Sequence, residues 1–212
     1  MSRPAHLPRL YPILDAGAFA RESDPAAALA RFAGHLVAGG ATVLQYRNKQ
    51  GIAPQMLSQA RELRRAVPRA TLLMNDRADL CLAADFDGVH VGQEDLSPAG
   101  ARLVVGNERW VGVSTHNPAQ LAAAAGSDAD YVAIGPVFAT STKTDPDPVV
   151  GLEGVRRARA ATNKPLVAIG GITRANCRAV MDAGADAVAV ISDLLLRPQA
   201  ATEEFLRLLG SR

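Results

Sequence analysis

The chain has 212 residues, of which 48% are hydrophobic and 21% charged, and its formal net charge at pH 7 is +2. This length and composition exclude a disordered chain and provide one well-buried core, so we predict a single domain over residues 1–212. The small net charge, without a run of basic residues, argues against nucleic acid or a membrane as a partner. No segment approaches the roughly 18 apolar residues of a membrane span, and the N-terminal residues lack a signal-peptide core, which predicts a cytoplasmic protein.

Short apolar segments alternate with Ala-rich segments of helical periodicity along the whole chain. The apolar segments do not alternate with polar residues, which is typical of parallel strands buried on both faces. In chain order we predict strand 10–15, helix 26–38, strand 42–47, helix 54–66, strand 72–76, helix 77–84, strand 88–93, helix 98–104, strand 110–115, helix 118–125, strand 131–136, helix 152–161, strand 166–171, helix 174–183, strand 187–192 and helix 200–209. Eight such units predict an α/β fold closed into one (β/α)8 TIM barrel.

Helix starts are marked by a capping side chain followed by proline, at Asp24, Ser97 and Asn117. Polar residues or glycines end every predicted strand, and in order these ends read D, QYRNK, ND, GQED, STH, GP, GG and S. The carboxyl ends of barrel strands meet at one face, where site residues come from several strands. We therefore expect a site at this carboxyl face.

Two carboxylates, Asp76 and Asp95, follow the third and fourth predicted strands and should emerge at neighbouring strand ends. Mg²⁺ commonly takes one or two protein carboxylates and completes its shell with water and substrate phosphate oxygens. In the structural alternative, Asp76 caps the helix that starts at Arg77 and Asp95 makes an Asx turn before Ser97. Together with the cations described next, the pair predicts a Mg²⁺ site.

Gln45, Arg47 and Lys49 alternate along the end of the second predicted strand, so their side chains share one side of it. An amide, a guanidinium and an ammonium group that face inward need an anionic or polar ligand. A solvated strand end is the alternative. We favour an anion site.

Two further regions carry groups suited to phosphate. The loop after the sixth predicted strand has hydroxyl and ammonium donors at Thr140, Ser141, Thr142 and Lys143. Loops after the seventh and eighth strands of these barrels often bind phosphate through backbone N–H groups. A phosphate site is predicted at Gly170, Gly171, Ile191 and Ser192.

Ser114, Thr115 and His116 end the fifth predicted strand, but neighbours on a strand point to opposite faces, so no catalytic triad follows. We interpret Ser114 as a hydrogen-bonding residue of the site and His116 as ordering the next loop. His90 is interpreted as an interior histidine with satisfied hydrogen bonds, and Tyr131 as a packing residue.

Two phosphate sites on one face, one of them beside a predicted Mg²⁺ ion, indicate two phosphorylated small-molecule substrates. A Mg²⁺-bound diphosphate is a good leaving group, and Arg47, Lys49 and Lys143 can stabilise the charge that develops on it. The residues thus indicate chemistry at a diphosphate.

The strings QYRNK, NDRADL, GVHVGQEDL, GVSTHN, YVAIGPVFATSTK, AIGGI and VAVIS, with RLYPILD near the start, resemble the thiamine-phosphate synthase family in order and spacing. The resemblance covers nearly the whole chain. It implies a barrel transferase that joins 4-amino-2-methyl-5-(diphosphomethyl)pyrimidine to 4-methyl-5-(2-phosphoethyl)thiazole, giving thiamine phosphate and pyrophosphate. In that family the diphosphate is viewed as leaving first, and the thiazole nitrogen then attacks the pyrimidine cation. No general base is required.

The resemblance also implies a role for each matching residue. Mg²⁺, one ion per site, would be held by Asp76 and Asp95. The pyrimidine diphosphate would be bound by Gln45, Tyr46, Arg47, Asn48, Lys49, Asn75, Ser114 and Lys143, of which Arg47, Lys49, Ser114 and Lys143 would be catalytic. The thiazole phosphate would be bound by Thr140, Ser141, Thr142, Gly170, Gly171, Ile191 and Ser192. Tyr46 and Asn48 depart from the family's usual pattern, and a tyrosine at 46 should point away from the site and alter packing more than chemistry.

Other interpretations stay open. A related thiazole phosphate tautomerase would bind the thiazole partner alone, and the presence of Asp76, Asp95 and Lys143 argues against it. A noncatalytic phosphate-ligand sensor would bind without turnover. An aldolase-like or isomerase barrel would use Lys49 or Lys143 as a Schiff-base amine. The oligomeric state is left open.

Overall fold

The computed structural model describes residues 7–140 and 147–210. Within them eight strands form a closed parallel barrel in which each strand pairs with the next and the last pairs with the first, which confirms the predicted fold. The strands are β1 Leu10–Asp15, β2 Val43–Arg47, β3 Thr71–Asn75, β4 Gly88–Val91, β5 Trp110–Thr115, β6 Tyr131–Ile134, β7 Leu166–Ile169 and β8 Ala187–Val190. The helices are α1 Pro25–Ala38, α2 Ala53–Ala66, α3 Ala78–Ala83, α4 Pro98–Val105, α5 Pro118–Ala125, α6 Gly151–Ala161, α7 Cys177–Asp182 and α8 Pro198–Leu209.

Helix starts follow the capping signals in the sequence. Asp24, Ser97 and Asn117 each accept a hydrogen bond from the backbone N–H three residues later, as predicted.

Short 3-10 helices, Ala16–Phe19 and Ser192–Leu194, follow β1 and β8. No helix in the described ranges is both long and apolar enough to cross a membrane.

Some elements are shorter than the sequence indicated. β7 ends at Ile169 because Gly170 and Gly171 have φ values of 100° and 61°, which leave the extended region. α7 begins at Cys177 rather than at residue 174, since Oδ1 of Asn176 accepts from the N–H of Thr173 in a preceding turn. These polar turns hold the backbone out of regular structure at the carboxyl face.

Alternate strand residues face either the barrel interior or the helices. The apolar interior cluster contains Leu7, Tyr11, Ile13, Val43, Leu73, Trp110, Tyr131, Ala133, Val167, Ala187 and Ala189. The intervening strand residues, such as Leu14, Leu44 and Leu72, pack in a second cluster with the helices. This outer core packs the strands against the helices, and the interior side chains fill the axis of the barrel.

Glycine makes room for the largest interior side chains. A Cβ atom on Gly112 of β5 would lie 2.0 Å from Cζ of Tyr131, and one on Gly88 of β4 would lie 2.5 Å from Cβ of Trp110. The Tyr131 ring stacks on His90 and meets Trp110 edge-on. The aromatic rings therefore fill space that side chains at these two glycine positions would otherwise take.

Three ion pairs of one design hold the amino ends of neighbouring strands. In each, the aspartate is the residue just before β4, β6 or β8. Its carboxylate accepts one hydrogen bond from a backbone N–H at the start of the strand before it, which is β3, β5 or β7. It accepts another from an arginine of α2, α4 or α6, respectively. The trios are Asp87 with Leu72 N–H and Arg64, Asp130 with Val111 N–H and Arg102, and Asp186 with Leu166 N–H and Arg159. We call these trios the Arg–Asp clamps. They stabilise the barrel at the end opposite the strand ends that carry the predicted site.

Candidate active site

Two ion pairs lie at the carboxyl ends of β1, β2 and β3. Arg47 ends β2 and donates to Oδ2 of Asp15, which ends β1 directly beside it. Lys49 Nζ lies 2.5 Å from Oδ2 of Asp76, which follows β3. The Arg47 and Asp15 side chains are 19% and 13% exposed, whereas that of Lys49 is 50% exposed. Both cations thus lie at the carboxyl face, each held by a neighbouring carboxylate.

Asp76 also interacts with the carboxylate of Asp95. Burial raises the pKa of Asp76, the bond from Lys49 opposes this shift, and Asp95 raises the pKa further. Oδ2 of Asp95 accepts from the N–H of Gly92 at 2.8 Å. This bond reaches back along the chain to residue 92, so the Asx turn before Ser97 stays a prediction. The capping alternative for Asp76 is wrong, because α3 begins after Arg77 without a side-chain cap.

A cation between these carboxylates would relieve their repulsion, and carboxylate oxygens are ligands that Mg²⁺ prefers. The pair therefore fits the predicted ion. The described residues include no group of three or more His, Cys, Asp or Glu side chains suited to a metal. Two protein carboxylates are nevertheless within the usual number for Mg²⁺, which retains water and takes phosphate oxygens.

Tyr46 and Asn48 face the helices rather than the interior. Tyr46 is fully buried in the outer core, and its hydroxyl donates to Oε1 of Gln59 on α2. Asn48 donates to the same oxygen at 3.0 Å and accepts from the N–H of Gly51. Strand alternation puts both side chains on the side opposite Gln45 and Arg47. The structure therefore separates these two predicted binding side chains from the others.

Asn75, the last residue of β3, is 8% exposed, and its Nδ2 has no hydrogen-bond partner among the residues that the structure describes. An unsatisfied buried amide costs about 1–3 kcal/mol. Its place beside Asp76 makes this donor available to a polar ligand at the carboxyl face.

Gln45 and Ser114 are joined through the barrel interior by a row of hydrogen bonds. Gln45 Nε2 donates to the Tyr11 hydroxyl at 3.0 Å, and the Tyr11 and Tyr131 hydroxyls are 2.8 Å apart. The Tyr131 hydroxyl lies 2.9 Å from Nδ1 of His90, and Nε2 of His90 lies 2.8 Å from Oγ of Ser114. We call these five side chains the interior relay.

Burial determines the protonation of the interior relay. It lowers the pKa of His90 to about 4, so the imidazole is neutral at pH 7. Burial raises the pKa of Tyr11 and that of Tyr131, so both hydroxyls keep their protons. The interpretation of His90 as an interior histidine with satisfied hydrogen bonds is confirmed.

The loops after β6 and β7 press against each other. The N–H of Phe138 donates to the carbonyl of Gly170 at 3.0 Å, and a Cβ on Gly171 would lie 2.5 Å from the Ala139 carbonyl oxygen. Both glycines are thus required by close backbone approach as well as by their positive φ values. Thr140 is the last described residue of the first loop, and the predicted Ser141, Thr142 and Lys143 lie outside the described residues.

Ile191 and Ser192 follow β8, where Ser192 is exposed and starts a short 3-10 helix. This turn is tied to the loop after β7, since Asp193 accepts from the backbone N–H and guanidinium of Arg174. His116 Nδ1 lies 2.6 Å from the Gly135 carbonyl oxygen, which joins the end of β5 to the loop after β6. Its predicted role in ordering the loop before Asn117 stays a prediction. The predicted phosphate loops are therefore adjacent and cross-linked.

The sequence did not predict the contacts by which Asp15, Tyr11, His90 and Tyr131 organise this face. Asp15 was visible as the polar end of the first strand and Arg47 was predicted as a site residue, but the pairing of the two was not predicted. Tyr11, His90 and Tyr131 are far apart in sequence, and the pairing of Ser114 with His90 depends on which interior side chains meet across the barrel.

Comparisons with known proteins point to one family. A family profile described as "Thiamine monophosphate synthase" matches residues 10–194. The thiamine-phosphate synthase of Koribacter versatilis (strain Ellin345) is 62% identical over 212 residues, covering 100% of both chains, and that of Chloroflexus aurantiacus is 47% identical over 186 residues, covering 87% of this chain and 83% of its own. A solved structure of thiamine phosphate pyrophosphorylase from Pyrococcus furiosus has a TM-score of 0.81 at 30% identity and covers 95% of each chain.

Proposed function

The chain belongs to the thiamine monophosphate synthase family, and we propose that it joins 4-amino-2-methyl-5-(diphosphomethyl)pyrimidine to 4-methyl-5-(2-phosphoethyl)thiazole, with Mg²⁺, forming thiamine phosphate and pyrophosphate. It is a transferase of the thiamine-phosphate synthase type. The observation that carries the substrate proposal is the meeting of Arg47, Lys49, Asp76 and the unsatisfied amide of Asn75 at one face. Two cations, a carboxylate and a buried donor suit a diphosphate joined to a polar ring.

The pyrimidine diphosphate would occupy the mouth of the barrel. Gln45, Asn75 and Ser114 face it from three strands and would bind the polar ring and its linkage to the diphosphate. Arg47 and Lys49 would exchange their carboxylate partners for diphosphate oxygens. This exchange keeps the partly buried guanidinium of Arg47 paired throughout, which avoids the cost of an isolated charge.

Bond breaking at the pyrimidine methylene sends the electron pair to the departing diphosphate, where Arg47, Lys49 and Lys143 would stabilise the added charge. The thiazole nitrogen then donates its lone pair to the methylene carbon of the pyrimidine cation, forming the new C–N bond. Atoms and charge balance without proton transfer by the protein. The protein supplies positioning and electrostatic stabilisation.

Asp76 and Asp95 would hold one Mg²⁺ ion. Mg²⁺ at this place would neutralise part of the diphosphate charge and make it a better leaving group. With Lys49 released from Asp76, the repulsion that raises the pKa of that carboxyl would be balanced by the ion.

The thiazole phosphate would bind at the loops after β6, β7 and β8. Support comes from the positive-φ glycines Gly170 and Gly171 beside the cross-linked turn at Ile191 and Ser192, with Thr140 at the edge. Ser141 and Thr142 are assigned here by the family resemblance. Backbone N–H groups in such loops bind phosphate without a charged side chain.

The test is a coupled assay of the purified protein with both phosphorylated substrates, following thiamine phosphate and pyrophosphate with Mg²⁺ and with a chelator. Metal-dependent formation of both products supports the proposal. Binding of the thiazole phosphate without product would favour the tautomerase or sensor, and trapping of a carbonyl substrate on lysine by borohydride would favour the Schiff-base alternative.

Asp76→Asn tests the metal assignment within the same assay. Asp76 has a φ of 64°, which asparagine tolerates, so the variant should fold and lose activity by orders of magnitude. Asp85→Asn is the matched control, since Asp85 also has a positive φ of 52° but its side chain is 88% exposed and away from the site. Equal activity of the two variants would refute the assignment.

A further inference from the structure

The interior relay has a direction that follows from counting its protons. Nε2 of the Gln45 amide faces Tyr11 and donates to its oxygen, so the one acceptor left for the Tyr11 proton among the described residues is the Tyr131 oxygen. The Tyr131 oxygen therefore accepts, and its proton is donated to Nδ1 of His90. Each hydroxyl carries a single proton. If His90 donated to Tyr131 instead, the Tyr131 proton would have to go to Tyr11, and the buried Tyr11 proton would then have no acceptor among the described residues.

The same count fixes the histidine tautomer. Because Nδ1 of His90 accepts from Tyr131, the ring proton resides on Nε2 and is donated to Oγ of Ser114. Among the described residues, His90 is the hydrogen-bond partner of this hydroxyl oxygen. The Ser114 proton is then directed away from His90, toward the mouth of the barrel.

The geometry points to Tyr11, Tyr131 and His90 as positioning residues that hold Ser114 as a hydrogen-bond donor to an acceptor atom of the pyrimidine diphosphate. This inference rests on the proposed function for the identity of the ligand, whereas the tautomer is a property of the free protein. Without the relay the Ser114 hydroxyl could donate to His90 instead and present only lone pairs to the ligand. The relay therefore selects against that arrangement.

The packing around the relay supports a fixed geometry. The Tyr131 ring lies over Gly112, where a Cβ would come within 2.0 Å, and it stacks on His90 at an interplanar angle of 30°. Tyr11 is 1% exposed and meets Tyr131 edge-on. These rings have little freedom to rotate, so the hydroxyl protons rather than the rings would have to move for the direction to change.

The first measurement is the ¹⁵N spectrum of protein labelled at the histidine ring nitrogens, without substrate. His90 is one of four histidines and is assigned by the signals lost in His90→Asn. We expect a neutral ring that carries its proton on Nε2. A proton on Nδ1 in the wild-type protein would overturn the inference, whatever the enzyme assay shows.

The second measurement uses Tyr131→Phe, which keeps the ring and removes the proton donated to His90. We expect the Nε2–H tautomer to lose its preference, and kcat/KM for the pyrimidine diphosphate to fall about tenfold or more, consistent with loss of one oriented hydrogen bond. KM for the thiazole phosphate should be unchanged. Thr115→Val is the matched control. It removes a buried hydroxyl next to Ser114 in the sequence, but the Thr115 hydroxyl donates to the Ala133 carbonyl and is not part of the interior relay.

Replacing His90 separates positioning from packing. In His90→Gln the amide can still reach Ser114, whereas in His90→Asn the shorter side chain can serve only Tyr131, so glutamine should retain more activity. Equal loss in both, or an unchanged tautomer and unchanged kinetics in Tyr131→Phe, would overturn the inference. A wild-type protein with the expected tautomer but no synthase activity would refute the proposed function while supporting the assigned direction of the relay.

Discussion

Asp87→Ala should destabilise the barrel by about 3 kcal/mol, because it removes the acceptor at the centre of one Arg–Asp clamp. Oδ2 of Asp87 accepts from the buried N–H of Leu72 at 2.7 Å and from Arg64 at 2.6 Å. Loss of the acceptor for a buried N–H costs about 1–3 kcal/mol. The ion pair adds up to about 1 kcal/mol after discounting, since its side chains are 20% and 25% exposed. Arg64 keeps its bonds to the carbonyls of Asp85 and Ala70.

The assay is denaturant unfolding followed by circular dichroism, with a thermal scan in parallel. A loss of about 3 kcal/mol lowers Tm by about 6–12 °C in a domain of this size. Asp87→Asn retains an oxygen for the Leu72 N–H and should cost about 1 kcal/mol. Glu62→Ala is the control, because it removes an exposed ion pair with Arg65 on the same helix that contributes Arg64 and should change stability by less than about 0.5 kcal/mol. If Asp87→Ala matched this control, the assignment of the clamp as a stabilising device would be wrong.

Two other predictions concern the interior relay, and both are measured as free energies of unfolding. The pKa of His90 is about 6.5 in the unfolded chain and about 4 in the folded protein. Between these pH values the unfolded state binds more protons, so the free energy of unfolding falls as the pH falls. The total loss of stability should reach about 3 kcal/mol. His90→Gln should remove that part of the pH dependence, and an unchanged profile in the variant would contradict the buried neutral ring. Gly112→Ala should cost at least about 2 kcal/mol, because the added methyl group would meet the Tyr131 ring, which cannot move away without losing its contacts with His90 and Trp110. If Gly112→Ala were as stable as the wild-type protein, the barrel interior would have room for the added methyl group and this reasoning would be wrong.

The barrel could be predicted from sequence because each strand ends in a local signal. β1, β5 and α5 have the predicted bounds. β3 and β7 end earlier than predicted, where Asp76 and Gly170 take a positive φ. A positive φ at a non-glycine residue depends on tertiary contacts, here the bond from Lys49 and the approach of Asp95, which the sequence does not display.

The partners of the site side chains were less accessible to sequence reasoning. Alternation correctly separated Tyr46 from Gln45 and Arg47, since period two is a property of the single strand. It could not pair Ser114 with His90 or Arg47 with Asp15, because those contacts depend on the register and tilt of strands around the closed barrel.

The filled barrel axis has a consequence for the order in which substrates bind and products leave. The interior below the carboxyl face is filled by side chains that include Tyr11, Trp110 and Tyr131. The site is therefore a cup, open at the carboxyl face and closed at its base. If the pyrimidine lies deepest, beside Gln45 and Ser114, it must load before the thiazole partner covers it. The joined product carries the same ring and would be the last to leave. Ordered entry and exit would then be imposed by the shape of the cup.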